Sequence, residues 1–229
     1  MDALTGLILA GGRSRRFGSD KSRFELPDGR GDMLQRGLAL LSALPRVSRV
    51  AVSCREDQAE AIARRLPQGV ELLIDPQHES SSPLFGVTAA LRRWPGPVLL
   101  LSCDLPLMEA GTLRQLCDAR DMARRGMGLP AALLPPLRTS FVHADGTVET
   151  LVSICEAESL PFLEAALTAG RLGLYAAIPA DRQHLIPVRD SLPFFNMNTP
   201  QDAQRAASLL QDAQRAASLL QDAQREELL

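Results

Sequence analysis

The 229-residue chain has no CxxC pair, no excess of basic charge and no apolar run long enough to span a bilayer. Each absence removes a class of function. The four cysteines, Cys54, Cys103, Cys117 and Cys155, stand far apart, and no histidine lies at metal-ligand spacing from them. They read as free thiols in a reducing compartment rather than as a zinc site. His78, His143 and His184 are isolated and receive no catalytic role. A formal net charge of -2 argues against a nucleic-acid binder, which carries a basic patch or stripe. The opening Met-Asp-Ala-Leu-Thr-Gly lacks the basic region of a signal peptide. The expectation is a cytoplasmic protein that engages neither nucleic acid nor membrane.

What is present is ordinary for a globular chain: 45% hydrophobic and 23% charged residues, in a length that suits one domain with an appendage. Leu4–Ala10 is an apolar run that stops at Gly11-Gly12 and reads as a buried strand. Asp32–Leu44 reads as a helix stopped by Pro45, Val47–Ser53 as a strand, Glu56–Leu66 as a helix and Val70–Ile74 as a strand. Leu84–Arg93 reads as a helix before the turn Pro95-Gly96-Pro97, and Val98–Ser102 as a fourth strand. Short apolar strands alternating with helices predict a parallel sheet covered on both faces. Ligands of such sheets bind beyond the carboxyl ends of the strands, which directs attention to the loops after Ala10, Ser53, Ile74 and Ser102. Further on, Leu137–Val142 and Val148–Ile154 flank Ala144-Asp145-Gly146, a hairpin signal, and Ser159–Ala169 reads as a helix capped by Gly170. His184–Val188 reads as another strand, whereas residues 171–183 carry no clear periodicity.

The chain ends in a repeat. Gln201–Leu210 is QDAQRAASLL, Gln211–Leu220 is identical, and QDAQR opens a third copy. The composition favours helix, with Ala203, Ala207, Leu210 and their counterparts Ala213, Ala217 and Leu220 on an apolar stripe. Ten residues fall short of three turns, so the stripe drifts by about 80° per copy. The period matches no solenoid class and reads as a tandem duplication that lengthened a terminal helix. We therefore divide the chain into a domain at residues 1–208 and a repeated helical extension at 209–229.

The segment richest in chemistry is Leu7–Lys21, LILAGGRSRRFGSDK. The adjacent glycines let the backbone pass close to a ligand without Cβ clashes. Arg13, Arg15 and Arg16 crowd the loop and Lys21 closes it, so backbone N–H groups and cationic side chains together form a phosphate cradle. The spacing is neither GxxxxGK[ST] nor GxGxxG, and taken alone it suits a tight surface loop with solvated arginines equally well. Asp104 follows Val98–Ser102 directly, so its carboxylate projects past the end of the sheet, where magnesium would take it together with substrate phosphates. Helix capping is the other role open to it, because a helix starts nearby at Glu109. Thr199-Pro200 reads as an N-cap followed by proline at the first helical position, which would make Asn196 and Asn198 turn residues. Asp57, Glu60, Arg64 and Arg65 read as a solvated helix face, and Ser80–Ser82 as a loop or a lid.

Five segments in order carry a resemblance. LAGGRSRRFGSDK after the first strand, Ile74-Asp75, Pro83-Leu84-Phe85-Gly86, Cys103-Asp104-Leu105-Pro106 and Asn196-Met197-Asn198-Thr199-Pro200 together resemble the signature of the molybdenum cofactor guanylyltransferases, MobA-like members of the nucleotidyltransferases that make activated sugars and cofactors. The resemblance covers about residues 4–208. It implies a Rossmann-like three-layer α/β sandwich of the nucleotide-diphospho-sugar transferase type, and transfer of GMP from GTP to molybdopterin with release of pyrophosphate. Leu9, Ala10 and Gly11 would read the purine edge through backbone groups, and Gly12, Arg16 and Lys21 would hold the phosphates. Asp75 would lie at the guanosine site, where Gly86 lets the backbone approach. Asp104 would bind Mg2+, and Asn196 or Asn198 would complete the metal or acceptor site. Molybdoenzymes or their maturation factors would be the protein partners.

Three departures weaken acceptor recognition more than nucleotide binding. Ser53 stands where an asparagine is expected and has less reach, Glu149-Thr150 replaces a His-Pro pair, and Asp28–Leu34 lacks GKPL. Three other functions share these residues: a CTP-dependent molybdopterin transferase, a sugar-phosphate nucleotidyltransferase, and a non-catalytic nucleotide-binding partner in molybdoenzyme maturation.

Overall fold

The computed structural model describes residues 2–12, 17, 21–75, 82–126 and 134–226, with backbone only at 217 and 219–226. Four strands, β1 (Leu4–Leu9), β2 (Val47–Cys54), β3 (Glu71–Ile74) and β4 (Val98–Ser102), alternate with helices α1 (Met33–Ser42), α2 (Glu56–Ala63) and α3 (Pro83–Arg93). Helix α4 (Ala110–Arg124) follows, then β5 (Arg138–Val142), β6 (Val148–Cys155), α5 (Leu160–Thr168), α6 (Leu174–Ala177), β7 (Gln183–Pro187) and α7 (Pro200–Glu226). The strands form one seven-stranded sheet in the order β3-β2-β1-β4-β6-β5-β7. Only β6 pairs antiparallel with its neighbours, so the sheet is mostly parallel, as expected.

The period of two along each strand sorts side chains into two cores. Leu4 and Ile8 of β1, Val50 and Val52 of β2, and Leu99 and Leu101 of β4 face one layer, where Leu34, Leu38 and Leu41 of α1 and Leu113 and Leu116 of α4 meet them. Leu7, Ala51, Val98 and Leu100 face the other, against Leu84, Val87 and Leu91 of α3 and Leu163 and Ala166 of α5. Burial on both faces is why the central parts of these strands, Leu7–Leu9, Val50–Val52 and Val98–Leu101, are continuous apolar runs. Helix α1 starts where a capping box dictates: Gln35 N–H donates to the Asp32 carboxylate at 2.9 Å, and Asp32 N–H donates to Gln35 Oε1 at 3.0 Å.

Two expectations needed adjustment. Helix α2 ends at Ala63 rather than Leu66, because the last turn tightens to Arg65 N–H on Ile62 O and Leu66 N–H on Ala63 O. Residues 171–183, which showed no periodicity, hold the single turn α6 and a 3-10 turn at Ala180–Arg182, both too short to display one. The terminal helix forms as expected and runs 27 residues, about 40 Å.

The chain leaves β1 outward through β2 and β3, then returns to the other side of β1 as β4. That reversal opens a crevice between the carboxyl ends of β1 and β4, the preferred ligand position in open α/β sheets. Ser53, Leu9 and Ser102 lie in one row across β2, β1 and β4 at its floor.

Candidate functional site

One pole of the crevice is polar and charged. Ser102, the last residue of β4, donates its hydroxyl to Asp104 Oδ1 at 2.5 Å. The other carboxylate oxygen, Oδ2, faces the Lys21 ammonium 3.8 Å away, and that ammonium donates to Asn198 Oδ1 at 2.6 Å. Lys21 thus meets Asn198, 177 positions away in sequence. The Asn198 side of the contact is braced twice. Met197 N–H donates to the Asp104 carbonyl at 2.9 Å, and the N–H groups of Asn198 and Thr199 donate to the Asp202 carboxylate at 2.9 and 2.8 Å. Those N–H groups hold the Asp202 carboxyl below its usual range. Thr199 Oγ1 accepts from Asp202 N–H at 3.1 Å, so the expected N-cap is present and coexists with the contact at Asn198. Asn196 is exposed. Asp104 is not a helix cap, since α4 starts six residues later behind Glu109.

The other pole lies over β2 and β3. Ser53, almost fully buried, donates its hydroxyl to Asp75 Oδ1. Burial pushes the Asp75 carboxyl above its ordinary value, and the Ser53 hydrogen bond offsets part of that push. Two glycines make room for this pair. A methyl on Gly86 would lie 3.1 Å from Ser53 Cβ and 3.2 Å from Asp75 Oδ1, and would press hardest on Ser53 Oγ; one on Gly11 would lie 3.2 Å from Asp75 Oδ2. Above Gly12 the space is open, with no described atom within 4 Å of a Cβ position. Ala10 N–H is committed to Ser53 O at 2.8 Å, and Leu9 O accepts from Cys103 N–H at 3.4 Å. Arg13, Arg15 and Arg16 lie outside the described residues, as do Ser80 and Ser81. Ser82 is structural: its hydroxyl accepts from Leu84 N–H to cap α3 and donates to Leu172 O at 2.7 Å.

Three arginines brace the crevice and were not foreseen. Arg55, directly after β2, donates to Gly11 O at 3.0 Å and pairs with Asp57 at 2.7 Å. Arg65, expected on a solvated face, turns inward, donates to Ser22 O at 2.8 Å and pairs with Asp32, fixing the turn that presents Lys21. Arg36, buried in α1, clamps Asp28 in two bonds of 2.7 and 2.6 Å and donates to Pro106 O at 2.8 Å, just past Asp104. A basic residue beside a strand end or a loop was the one available signal, and it does not distinguish a brace from a solvated side chain.

Among the described residues no group of three or more His, Cys, Asp or Glu could hold a metal. Asp104 and Asn198 instead bring oxygens to a cation, the Lys21 ammonium, and Ser102 braces the carboxylate from its other oxygen. Such a donor set fits a hard divalent ion that takes one carboxylate and completes its shell with phosphates and water. All four cysteines are buried and none forms a disulfide, and desolvation pushes Cys54, Cys117 and Cys155 up to about 11, which makes those three inert thiols. No helix among the described residues is long and apolar enough to cross a membrane.

The chain is similar to known proteins of one kind. The model of a family described as MobA-like NTP transferase domain matches residues 6–137. A probable molybdenum cofactor guanylyltransferase of Opitutus terrae is 31% identical over 224 residues, covering 89% of this chain and 94% of its own. Another, from Haloferax mediterranei, is 36% identical over 113 residues, 48% of this chain and 52% of its own. Among solved structures, molybdopterin-guanine dinucleotide biosynthesis protein A from Archaeoglobus fulgidus superposes with a TM-score of 0.71 at 22% identity, covering 91% of this chain and 100% of its own. The fold is therefore that of the nucleotide-diphospho-sugar transferases.

Proposed function

Because the chain belongs to the MobA-like NTP transferase family, and is thus a nucleotidyltransferase, we propose that it transfers GMP from GTP to molybdopterin and releases pyrophosphate. The observation that carries this reading is the convergence of Lys21, Asp104 and Asn198 beside the glycine loop, at the reversal of strand order. A terminal phosphate of molybdopterin attacks the α-phosphate of GTP, and the charge that spreads over the phosphoryl oxygens must be aligned and neutralised. Magnesium, held by Asp104 with the substrate phosphates, would supply that neutralisation at the phosphoryl group. Lys21, together with Arg16 as the resemblance implies, would face the leaving pyrophosphate, and Gly12 would give the phosphates a surface without a side chain. A phosphate nucleophile arrives deprotonated, so the absence of an assigned general base is no obstacle. Asn196 and Asn198 border the acceptor. The reaction belongs in the cytoplasm.

The base lies over Leu9, Ala10 and Gly11, with Ser53, Asp75 and Gly86 on its far side. Asp75 supports guanine in particular. A carboxylate accepts hydrogen bonds, and guanine presents two neighbouring N–H donors on its pairing edge. Preference for GTP over CTP should reach about 10-fold, ~1.4 kcal/mol, the worth of one or two directed hydrogen bonds. A thermal-shift panel of GTP, CTP, ATP and UTP with magnesium reads this directly, since a ligand of the folded state raises its stability. Equal shifts with CTP and GTP would refute guanine selection. Turnover with GTP, magnesium and molybdopterin tests the reaction, and Asp104→Asn should lower it by roughly 100-fold with the fold intact. Near-normal pyrophosphate release from that variant would remove Asp104 from the chemistry.

A further inference from the structure

The Lys21 ammonium and a divalent ion at Asp104 require the same oxygens. Ser102 engages Oδ1 of the carboxylate, which leaves Oδ2 as the oxygen facing the crevice, and Lys21 Nζ lies 3.8 Å from it. Asn198 Oδ1, at 2.6 Å, fixes the ammonium on the Asp104 side. The two side chains are 12% and 22% exposed, so the carboxylate is largely desolvated and needs a countercharge. A divalent ion reaching Oδ2 would come within a few ångströms of the ammonium, where like charges repel strongly at the low effective dielectric of such a site. The ammonium must leave, and nucleotide phosphates offer it several charged oxygens at once.

We propose that Lys21 is a built-in countercation of Asp104 that yields its place to the metal when nucleotide phosphates draw it away, which makes metal and nucleotide binding interdependent. The proposal rests on the reading that Asp104 takes the metal and Lys21 the phosphates, and adds that the two cations exclude one another at Oδ2. Metal alone must displace Lys21 and binds weakly. Metal with nucleotide meets a carboxylate already vacated and binds tightly. By linkage, metal strengthens nucleotide binding by the same factor.

The test is a titration of Mn2+ followed by the spectrum of the free ion, with and without a non-hydrolysable GTP analogue. It uses the full chain as wild type, Lys21→Gln, Lys21→Met and Asp104→Asn, each checked by circular dichroism. Gln keeps a polar contact with Asn198 and Met keeps the length of the side chain, so either folded variant suffices. Removing the ammonium should tighten Mn2+ binding without nucleotide by about 10-fold and shrink the nucleotide-induced gain by a similar factor. If Asp104→Asn abolishes Mn2+ binding while the Lys21 variants match wild type in both arms, the exchange is overturned and the metal reading stands. If Asp104→Asn binds Mn2+ like wild type, the metal reading falls and the exchange with it.

Discussion

Gly86→Ala isolates the tightest packing in the candidate site. The added methyl would sit 3.1 Å from Ser53 Cβ and 3.2 Å from Asp75 Oδ1, with Ser53 Oγ closer still, where carbon contacts normally settle near ~3.5–4.0 Å. Helix α3 cannot back away, since Ser82 ties its start to Leu172 O at 2.7 Å and Leu84, Val87 and Leu91 anchor it in the core. The strain therefore falls on the Ser53–Asp75 pair, and overpacking of this kind costs about 1–3 kcal/mol. For a chain of this size that lowers Tm by about 2–4 °C per kcal/mol. GTP affinity, read by calorimetry, should fall with it because Asp75 is displaced. The decisive measurement is the double variant. Ser53→Ala alone removes a hydrogen bond to a carboxylate and destabilises, yet it also removes the atom that meets the new methyl. Gly86→Ala with Ser53→Ala should therefore cost less than the sum of the singles by at least about 0.5 kcal/mol. Additive effects, or a Gly86→Ala protein with unchanged Tm and affinity, would refute the contact. Gly12→Ala, with no described atom within 4 Å of the new methyl, is the control and should stay within about 0.5 kcal/mol of wild type in stability.

Asp75→Asn should stabilise the fold at neutral pH and lose discrimination for GTP. A carboxyl raised by burial contributes stability present below its ordinary value of 3.8 and lost as pH rises through the folded value, so the variant's stability should depend less on pH between 3.8 and that raised value, which pH-dependent melts would check. Arg65→Met should lower kcat about 10-fold by loosening the Lys21 turn without touching substrate, with partial recovery in Arg65→Lys; an unchanged kcat would make Arg65 a purely structural residue. Deleting Gln211–Leu229 should leave folding and turnover largely intact, because the described side chains at 211–216 are exposed, whereas deletion from Gln201 should destabilise the domain by removing buried Ala203 and Ala206 and the anchor Asp202. A change of mass in solution after the shorter deletion would show that the extension mediates self-association.

The strands were legible because the physics that buries them also writes them. Leu7, Ile8 and Leu9 are apolar in succession because both faces of β1 are covered, and Gly11-Gly12 marks the end. Asp104 was legible for the related reason that a carboxylate after a buried strand lands at the carboxyl edge. The end of α2 was not. Arg64 and Arg65 are chemically alike, but Arg64 pairs with Glu60 on the surface while Arg65 reaches Ser22 and Asp32, a difference set by tertiary neighbours alone. Likewise no local spacing relates Lys21 to Asn198. Read by themselves, the asparagines were turn residues; the resemblance left Asn196 and Asn198 equivalent, and only the fold brings Asn198 to Lys21.

That contact also explains why identical decapeptides behave differently. In the first copy Asp202 holds the N–H groups of Asn198 and Thr199, and Ala203 and Ala206 close over Phe17, Leu26, Met33 and Met197 beside the glycine loop. In the second copy the same residues, Asp212, Ala213 and Ala216, are exposed, and Asp212 pairs with Arg215 of its own helix at 3.8 Å. A rise of about 15 Å and a rotation of about 80° per ten residues carry the second copy off the surface that suits the first. Position, not composition, therefore decides which copy serves the domain. Because the duplication lies downstream of Asp202, it leaves the Lys21–Asn198 contact untouched. Ten residues placed between Asn198 and Asp202 would instead separate the asparagine from its anchor and the crevice from its closing loop.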